Sequence, residues 1–266
     1  MIKKLKRIAK NKMIELIPIN SYVARKKVDN FFYFSQKGYC PCCEREVSFR
    51  ANNSWLRDYF VCTNCGSIPR ERALMLTIEK YYPNWRDLKI YESSANIRAT
   101  SAKLKQQCKN YISSQYYPTE PFGSVVNGFR NEDLENQTFS DNSFDIVVTQ
   151  DVMEHIYNPC KAFSEIARTL QEGGSHIFTV PIINKHKKTE IWATKNEDGS
   201  PNFLQTEEWH GNPFEAKGSP VTYHWGFDIV DFIEKASGLK TTIEYIDNLY
   251  YGVRAEYIEV LISQKN

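Results

Sequence analysis

The sequence predicts a doubly wound α/β domain with a mostly parallel sheet, preceded by a small module built around cysteines. Three observations predict it. Short apolar runs alternate with helix-like patterns from residue 88 onward. One run, Phe144–Gln150, leads within eight residues to Asn158-Pro159, the residue types favoured at a helix N-cap and at the first helical position. Ahead of both, Cys40-x2-Cys43 is followed, after eighteen residues, by Cys62-x2-Cys65. Alternating strands and helices place helices on both faces of a parallel sheet. The 266 residues are enough for such a domain and a small module beside it.

The elements divide the chain into residues 1–34, 35–80 and 81–266. In the first segment Ile2, Leu5, Ile8 and Ala9 share one helical face with lysines opposite, and Pro18 ends the pattern. Residues 1–27 hold nine basic residues and one acid, which leaves the rest of the chain at a net −6 although the whole is +2. This basic helical arm either packs its apolar face on the body or makes peripheral contact with a membrane surface or nucleic acid. Residues 35–80 carry the cysteines, with turns expected at Gly38 and Gly66. The spacing of Ala73, Leu74, Leu76, Ile78 and Tyr81 predicts a linking helix over 70–82, stopped by Pro83. In residues 81–266 strands are predicted over 88–93, 110–115, 144–150, 176–182, 241–246 and 256–263. Helices are predicted over 97–107, from Pro159 to a stop at Gly173-Gly174, and over 227–236. The last two strands form a hairpin around Tyr251-Gly252.

The cysteine spacing is that of two metal-binding knuckles. Cys40, Cys43, Cys62 and Cys65 supply four thiolates, which close a tetrahedron around zinc and leave no position for chemistry, so the predicted ion is structural. Cys42 lies inside the first knuckle, and the two-residue spacing favours its neighbours as ligands. Cys108 and Cys160 read as buried apolar residues.

Hydrophobic residues make up 41% of the chain and charged residues 25%, as in globular proteins. No apolar run is long enough for a membrane-spanning helix. Lys10, Lys12 and Glu15 interrupt any signal-peptide core. The odd number of cysteines, with four in metal spacing, suits a reduced, cytoplasmic setting.

The stretch NEDLENQTFSDNSFDIVVTQDVMEHIYNPCKAFSEIARTLQEGGSHIFTVP, residues 131–181, resembles the class I S-adenosylmethionine-dependent methyltransferases of the type 11 group. CTNCGSIPRERAL after CPCC, together with the boxes Trp209 to Pro213 and Tyr223 to Asp228, is similar to a subgroup with an N-terminal zinc ribbon associated with surface-glycan biosynthesis. The resemblance covers roughly 85–266 and implies a Rossmann-like sheet of seven strands. It implies that Glu92, Ser93, Ser94, Gln115, Asp133, Leu134 and Gln150 surround S-adenosylmethionine at the carboxyl ends of the strands, where such sheets bind ligands. Two features depart from the family: the first loop, Glu92-Ser93-Ser94-Ala95-Asn96, has no glycine, and Gln115 stands where an acid usually grips the ribose.

Methylation of a hydroxyl needs a proton acceptor beside the methyl group. His155, His210, His224 and Asp151 are the candidates. Each histidine also has a structural reading, as a loop cap or as packing. Arg70 and Arg72 either bind an acidic or phosphorylated acceptor or pair with the acidic body. The expected activity is O-methylation of a small molecule such as a sugar, nucleotide sugar or glycan precursor. The alternatives are an RNA methyltransferase, which the acidic body disfavours as nucleic acid is an unlikely partner for it, or a non-catalytic zinc-ribbon protein with a degenerate cofactor site.

Overall fold

The computed structural model describes residues 33–212 and 215–266. The expected basic helix, and with it any membrane contact through residues 1–27, lies outside the described residues, as does Pro213. No helix among the described residues is long and apolar enough to cross a membrane.

The chain enters through a three-stranded antiparallel sheet: β1 (Phe34–Cys40), β2 (Arg45–Ala51) and β3 (Val61–Cys62). Cys40 and Cys62 end strands and Cys43 and Cys65 follow in tight turns, so the strand ends themselves bring the two cysteine pairs together. Gly66 sits in the left-handed region at φ +71° and bonds back to the Cys62 carbonyl, as a turn glycine does. Gly38 is not at a turn. It lies within β1, paired with Val47, and the carbonyl of Tyr250 crosses directly over it. The requirement there is the absence of a side chain rather than an unusual φ.

A short helix, α1 (Leu56–Tyr59), precedes β3, and α2 (Pro69–Tyr81) leaves the second knuckle. Pro69 occupies the first turn of α2, where its missing N–H costs nothing, and Glu71 accepts the Ile68 amide at 2.9 Å.

The main sheet has eight strands rather than seven. In chain order they are β4 (Lys89–Ser93), β5 (Asn110–Gln115), β6 (Val125–Val126), β7 (Phe129–Asn131), β8 (Phe144–Gln150), β9 (Leu170–Thr179), β16 (Lys240–Glu244) and β17 (Val260–Gln264). Their spatial order is β16-β17-β9-β8-β4-β5-β7-β6. β4, β5, β7, β8 and β9 run parallel, and β17 inserts antiparallel between β9 and β16. The strands not foreseen in the sequence are β6 and β7, which form a hairpin too short to show a period. β4 pairs with β5 on one side and β8 on the other, so the strand order reverses between β4 and β8, where doubly wound sheets bind ligands.

Helix α3 (Ala99–Gln107) crosses from β4 to β5, and α4 (Pro159–Thr169) from β8 to β9. Asn158 caps α4 by accepting the Lys161 amide. The two glycines expected to end α4 do not. The helix stops at Thr169, where Leu170 turns extended, and Gly173 and Gly174 lie inside β9. There Gly174 passes so close to the carbonyls of Phe144 and Asp145 that a Cβ would stand 3.2 and 2.9 Å away, and the β8–β9 register shifts at that point. Helix α5 (Ile229–Ser237) ends at Gly238 with φ +76°.

Two apolar layers cover the sheet. Ile90, Ile146, Val148, Ile177, Val260 and Ile262 face α2, α3 and the cysteine module, in one cluster with Phe49, Phe60 and Trp85. Val147, Phe178 and Leu261 face α4 and α5, with Phe163 and Trp225 between them. The cysteine module therefore shares its core with one face of the sheet. Arg72 of α2 is fully buried there. Its guanidinium donates to the carbonyls of Phe60, Ser67 and Gly252 and stacks on Phe49, 4.5 Å from the ring centre. It ties the module, the helix and the C-terminal loop together, and it is not available to a substrate. Cys108 is buried as expected, whereas Cys160 is exposed in the first turn of α4.

Between β9 and α5 the chain adds small two-stranded pieces: β10 (Glu190–Ile191) with β15 (Tyr223–His224), β11 (Ala193–Lys195) with β12 (Pro201–Phe203), and β13 (Trp209–Asn212) with β14 (Glu215–Pro220).

Gly38→Ala places a methyl group 1.9 Å from the Tyr250 oxygen. The loop must shift, and the expected loss is about 1–3 kcal/mol of stability, read as a lower Tm in thermal denaturation.

Candidate active site

The carboxyl ends of β4, β5, β7 and β8 bring the predicted cofactor residues to one edge. The first loop makes its turn without glycine: Ser94 itself adopts φ +54°, with its side chain exposed, while Ser93 and Ala95 are buried. A left-handed serine costs more than a glycine would, so the loop is held from below. The Gln115 amide donates to the Ala95 carbonyl at 2.8 Å and supplies that support. Gln115 thus fastens the loop instead of standing free.

Glu92 is turned inward. Its side chain is inaccessible and accepts from Ser101 at 2.6 Å, Gln150 at 2.6 Å and Tyr111 at 2.7 Å. Burial raises its pKa and those three donors oppose the rise. Its carboxylate is consumed by the protein, and so is the Gln150 amide that also bonds Ser101. Asp133 accepts the Glu135 amide at 2.8 Å through Oδ1 and is half-buried, with Leu134 buried beside it.

At the tip of β8, Asp151 takes φ +51°. Its Oδ2 pairs with Arg57 of α1 at 2.6 Å and with Arg70 of α2 at 2.8 Å, and Oδ1 accepts from Thr179 of β9 at 2.9 Å. Burial pushes the carboxyl up, but the two guanidiniums overcome this and hold it well below the usual carboxylate range. A carboxylate so paired is a poor proton acceptor. Arg70, which also pairs with Asp58, is a clamp on Asp151.

The three candidate histidines come together on the loop after β8 and on the pieces that fold over it. His155 and His210 meet ring edge to face, 5.0 Å between centres. His155 Nδ1 lies 2.8 Å from the Pro220 carbonyl. Glu154 Oε1 stands 3.8 Å from His155 Nε2 and 3.7 Å from His210 Nδ1. Behind them Glu208 reaches His210 Nε2 at 3.5 Å and His224 Nε2 at 2.9 Å, and His224 stacks on Trp192. Burial alone would lower the pKa of His210, but Glu154, with Glu208 and Asp151 beyond, raises it. His176 belongs elsewhere: buried in β9, bonded to Thr149 and stacked on Phe178, it is pushed down to about 3 by desolvation.

Glu154, Glu208, Arg57 and Trp192 were not singled out in the sequence. Two signals pointed to the acids. Glu154 adjoins His155, and Glu208 stands two residues from His210, the spacing that puts two side chains on one face of a strand.

At the front of the molecule the four cysteine sulfurs of the knuckles converge. Cys40 and Cys65 are 3.7 Å apart and Cys43 and Cys62 3.9 Å, and no disulfide joins any of them. Four sulfurs each bonded at 2.3 Å to a tetrahedral centre stand roughly 3.8 Å from one another. Cys42 points away, to Thr100 at the start of α3.

Residues 98–178 match the family described as "Methyltransferase domain". No curated protein matches the chain in sequence. Among solved structures, the chain is similar to an S-adenosylmethionine-dependent methyltransferase from Mesorhizobium loti, at 14% identity and a TM-score of 0.47, over 73% of this chain and 98% of that one. It is similar also to the PH0226 protein from Pyrococcus horikoshii, at 13% identity and a TM-score of 0.45, over 74% and 89% of the two chains. The YcgJ protein from Bacillus subtilis matches at 14% identity and a TM-score of 0.42, over 65% and 70%.

The Asp151 clamp yields a pH expectation. A carboxyl with a depressed folded pKa contributes stability above its unfolded value of about 3.9, and that contribution is lost as pH falls toward the folded value. Asp151→Asn leaves Arg57 and Arg70 without their shared partner, with an expected loss of roughly 3 kcal/mol at neutral pH. In denaturant titrations the gap between the native protein and the variant should narrow below pH 4; a gap independent of pH would mean that the clamp does not hold the charge.

Proposed function

We propose that this chain is an S-adenosylmethionine-dependent methyltransferase that methylates a hydroxyl of a small acceptor, such as a sugar, nucleotide sugar or glycan precursor. The observation that carries the reading is the methyltransferase-domain match over 98–178, which lies on a doubly wound sheet whose strand order reverses between β4 and β8. Bound at that edge, S-adenosylmethionine supplies an activated methyl group that needs an aligned nucleophile and no further activation of the donor.

The chain's own residues divide the remaining work. Ser93, Ser94 and the Gln115-supported loop shape the edge where the cofactor's amino-acid end is expected. Asp133 offers a carboxylate and Leu134 an apolar face where the adenine is expected. On the acceptor side, His155 and His210 are the groups placed to accept a hydroxyl proton, because Asp151 is held ionised by two arginines. Trp192, stacked on His224, flanks this basin, and such a ring suits the apolar faces of sugars. The four convergent thiols suit a structural zinc, held by Cys40, Cys43, Cys62 and Cys65.

Two measurements test the reading. Calorimetric titration with S-adenosylmethionine should give saturable binding, and Asp133→Ala should weaken it by about tenfold, the loss of one good hydrogen bond, with Tm lowered only by the few degrees that the lost Glu135 amide bond costs. Absence of binding by the native protein would sink the methyl-transfer reading. Cys62→Ser should release the thiolate-bound zinc, measured by elemental analysis, and lower Tm. Retention of that zinc would remove Cys62 from the ligand set.

A further inference from the structure

The histidine basin contains a buried carboxylate that the protein leaves unsatisfied. Glu154 is 2% exposed, and neither of its oxygens receives a hydrogen bond. Its backbone is fixed: the Glu154 carbonyl accepts from the Thr222 amide at 2.7 Å and from the Thr222 hydroxyl at 2.9 Å. Arg70 is near enough to feel the Glu154 charge but is committed to Asp58 and Asp151. An isolated carboxylate buried this far requires a cation or a proton.

The hydrogen bonds around it indicate which. A carbonyl only accepts, so His155 must donate Nδ1–H to Pro220. A neutral His155 then carries its lone pair on Nε2, the atom that faces Glu154 at 3.8 Å. Glu208 lies 3.5 Å from His210 Nε2, where its charge favours a proton on that nitrogen, and His210 Nδ1 faces Glu154 at 3.7 Å. Two imidazole lone pairs and an unsatisfied carboxylate thus point at one space, and their donor atoms all lie within 4.8 Å of one another. Each imidazole is oriented through its other nitrogen by an outer acceptor, the arrangement metal-binding histidines adopt. Glu208 is in turn held at 2.9 Å by His224.

We propose that Glu154, His155 and His210 form a second metal site, distinct from the cysteine cluster, for a divalent ion of the zinc class. Two imidazoles and one carboxylate suit such ions. Ligands about 2.1 Å from a tetrahedral ion stand about 3.4 Å apart, so binding closes the two carboxylate–imidazole separations, 3.8 and 3.7 Å, by a few tenths of an ångström. Three protein ligands leave a coordination position open, and that position takes an oxygen ligand. The substrate class this selects is a hydroxylated small molecule bound through its oxygen, with the metal lowering the pKa of that hydroxyl so that its proton passes to water; with the ion bound, His155 and His210 hold the metal in place of accepting the proton themselves. The substrate part rests on the methyltransferase reading; the metal site does not.

The test counts metal in the full-length protein without reference to activity. Zinc-loaded, dialysed native protein should retain one equivalent more than His210→Ala or Glu154→Gln, and both variants should keep the equivalent that Cys62→Ser loses. His210 is 38% exposed on a hairpin, so its truncation spares the core. Calorimetric addition of zinc to protein already holding the thiolate-bound ion should saturate at one further equivalent, and His210→Ala should weaken this at least tenfold. Native protein that holds only the cysteine-dependent equivalent, or a second equivalent indifferent to both variants, overturns the proposal. Titration of the same samples with S-adenosylmethionine is read separately: a retained second zinc with no cofactor binding sinks methyl transfer and leaves the site standing.

Discussion

The pairing of Asp151 with Arg57 and Arg70 is the contact on which the candidate site depends. β8 delivers Asp151 to the reversal in strand order, where its backbone turns left-handed and the chain leaves the sheet. An aspartate tolerates that φ better than most residues, but the position still needs support. The two arginines supply it from the cysteine module and from α2, and Thr179 supplies it from the neighbouring strand. The direction of the following loop, and so the placement of Glu154 and His155, is set by that clasp. The module thus reaches the site through its arginines and not through its cysteines.

This gives the module a role that its size alone does not. Domains so small rarely bury enough surface to fold unaided. Here Phe49 and Phe60 share a core with sheet residues, and Lys103 of α3 donates to the Pro41 carbonyl in the first knuckle. Arg98 reaches the Gly66 carbonyl in the second knuckle and Glu71 at the start of α2. The knuckles and their docking surface on the sheet thus share contacts. Through α1 and α2 the same module carries Arg57 and Arg70, and with them the clasp on Asp151.

The sheet was legible because its elements are long and strongly patterned. Asn110–Gln115 and Phe144–Gln150 fall where the apolar runs place them, and the Asn158-Pro159 signal marks the start of α4. The misreadings have local causes. Glycine signals both helix termination and close strand approach, and at Gly174 the second held. Gly38 read as a turn because its constraint comes from Tyr250, more than two hundred residues away. β6, β7 and the pieces between β9 and α5 are too short to carry a period. For the site, the histidines were visible as residue types, but their order of importance was not. Which carboxylate is paired and which stands alone depends on partners distant in sequence, such as Arg57 for Asp151.

Glu92, Asp151 and Glu154 at this edge separate by how they are satisfied. Glu92 accepts from three neutral donors, Asp151 is held by two cations and a hydroxyl, and Glu154 receives no hydrogen bond. The first two arrangements are complete within the chain, so Glu92 and Asp151 serve the architecture: one fastens β4 to α3 and β8, the other fastens β8 to the module. An unsatisfied buried carboxylate costs several kcal/mol, against a total stability of about 5–15 kcal/mol for a domain. Replacing Glu154 with an apolar residue of similar volume would relieve that cost if nothing were to occupy the space before it. A fixed backbone and two imidazoles beside the same buried carboxylate keep a costly charge in place, which is where this edge departs from the rules that build the rest of the fold.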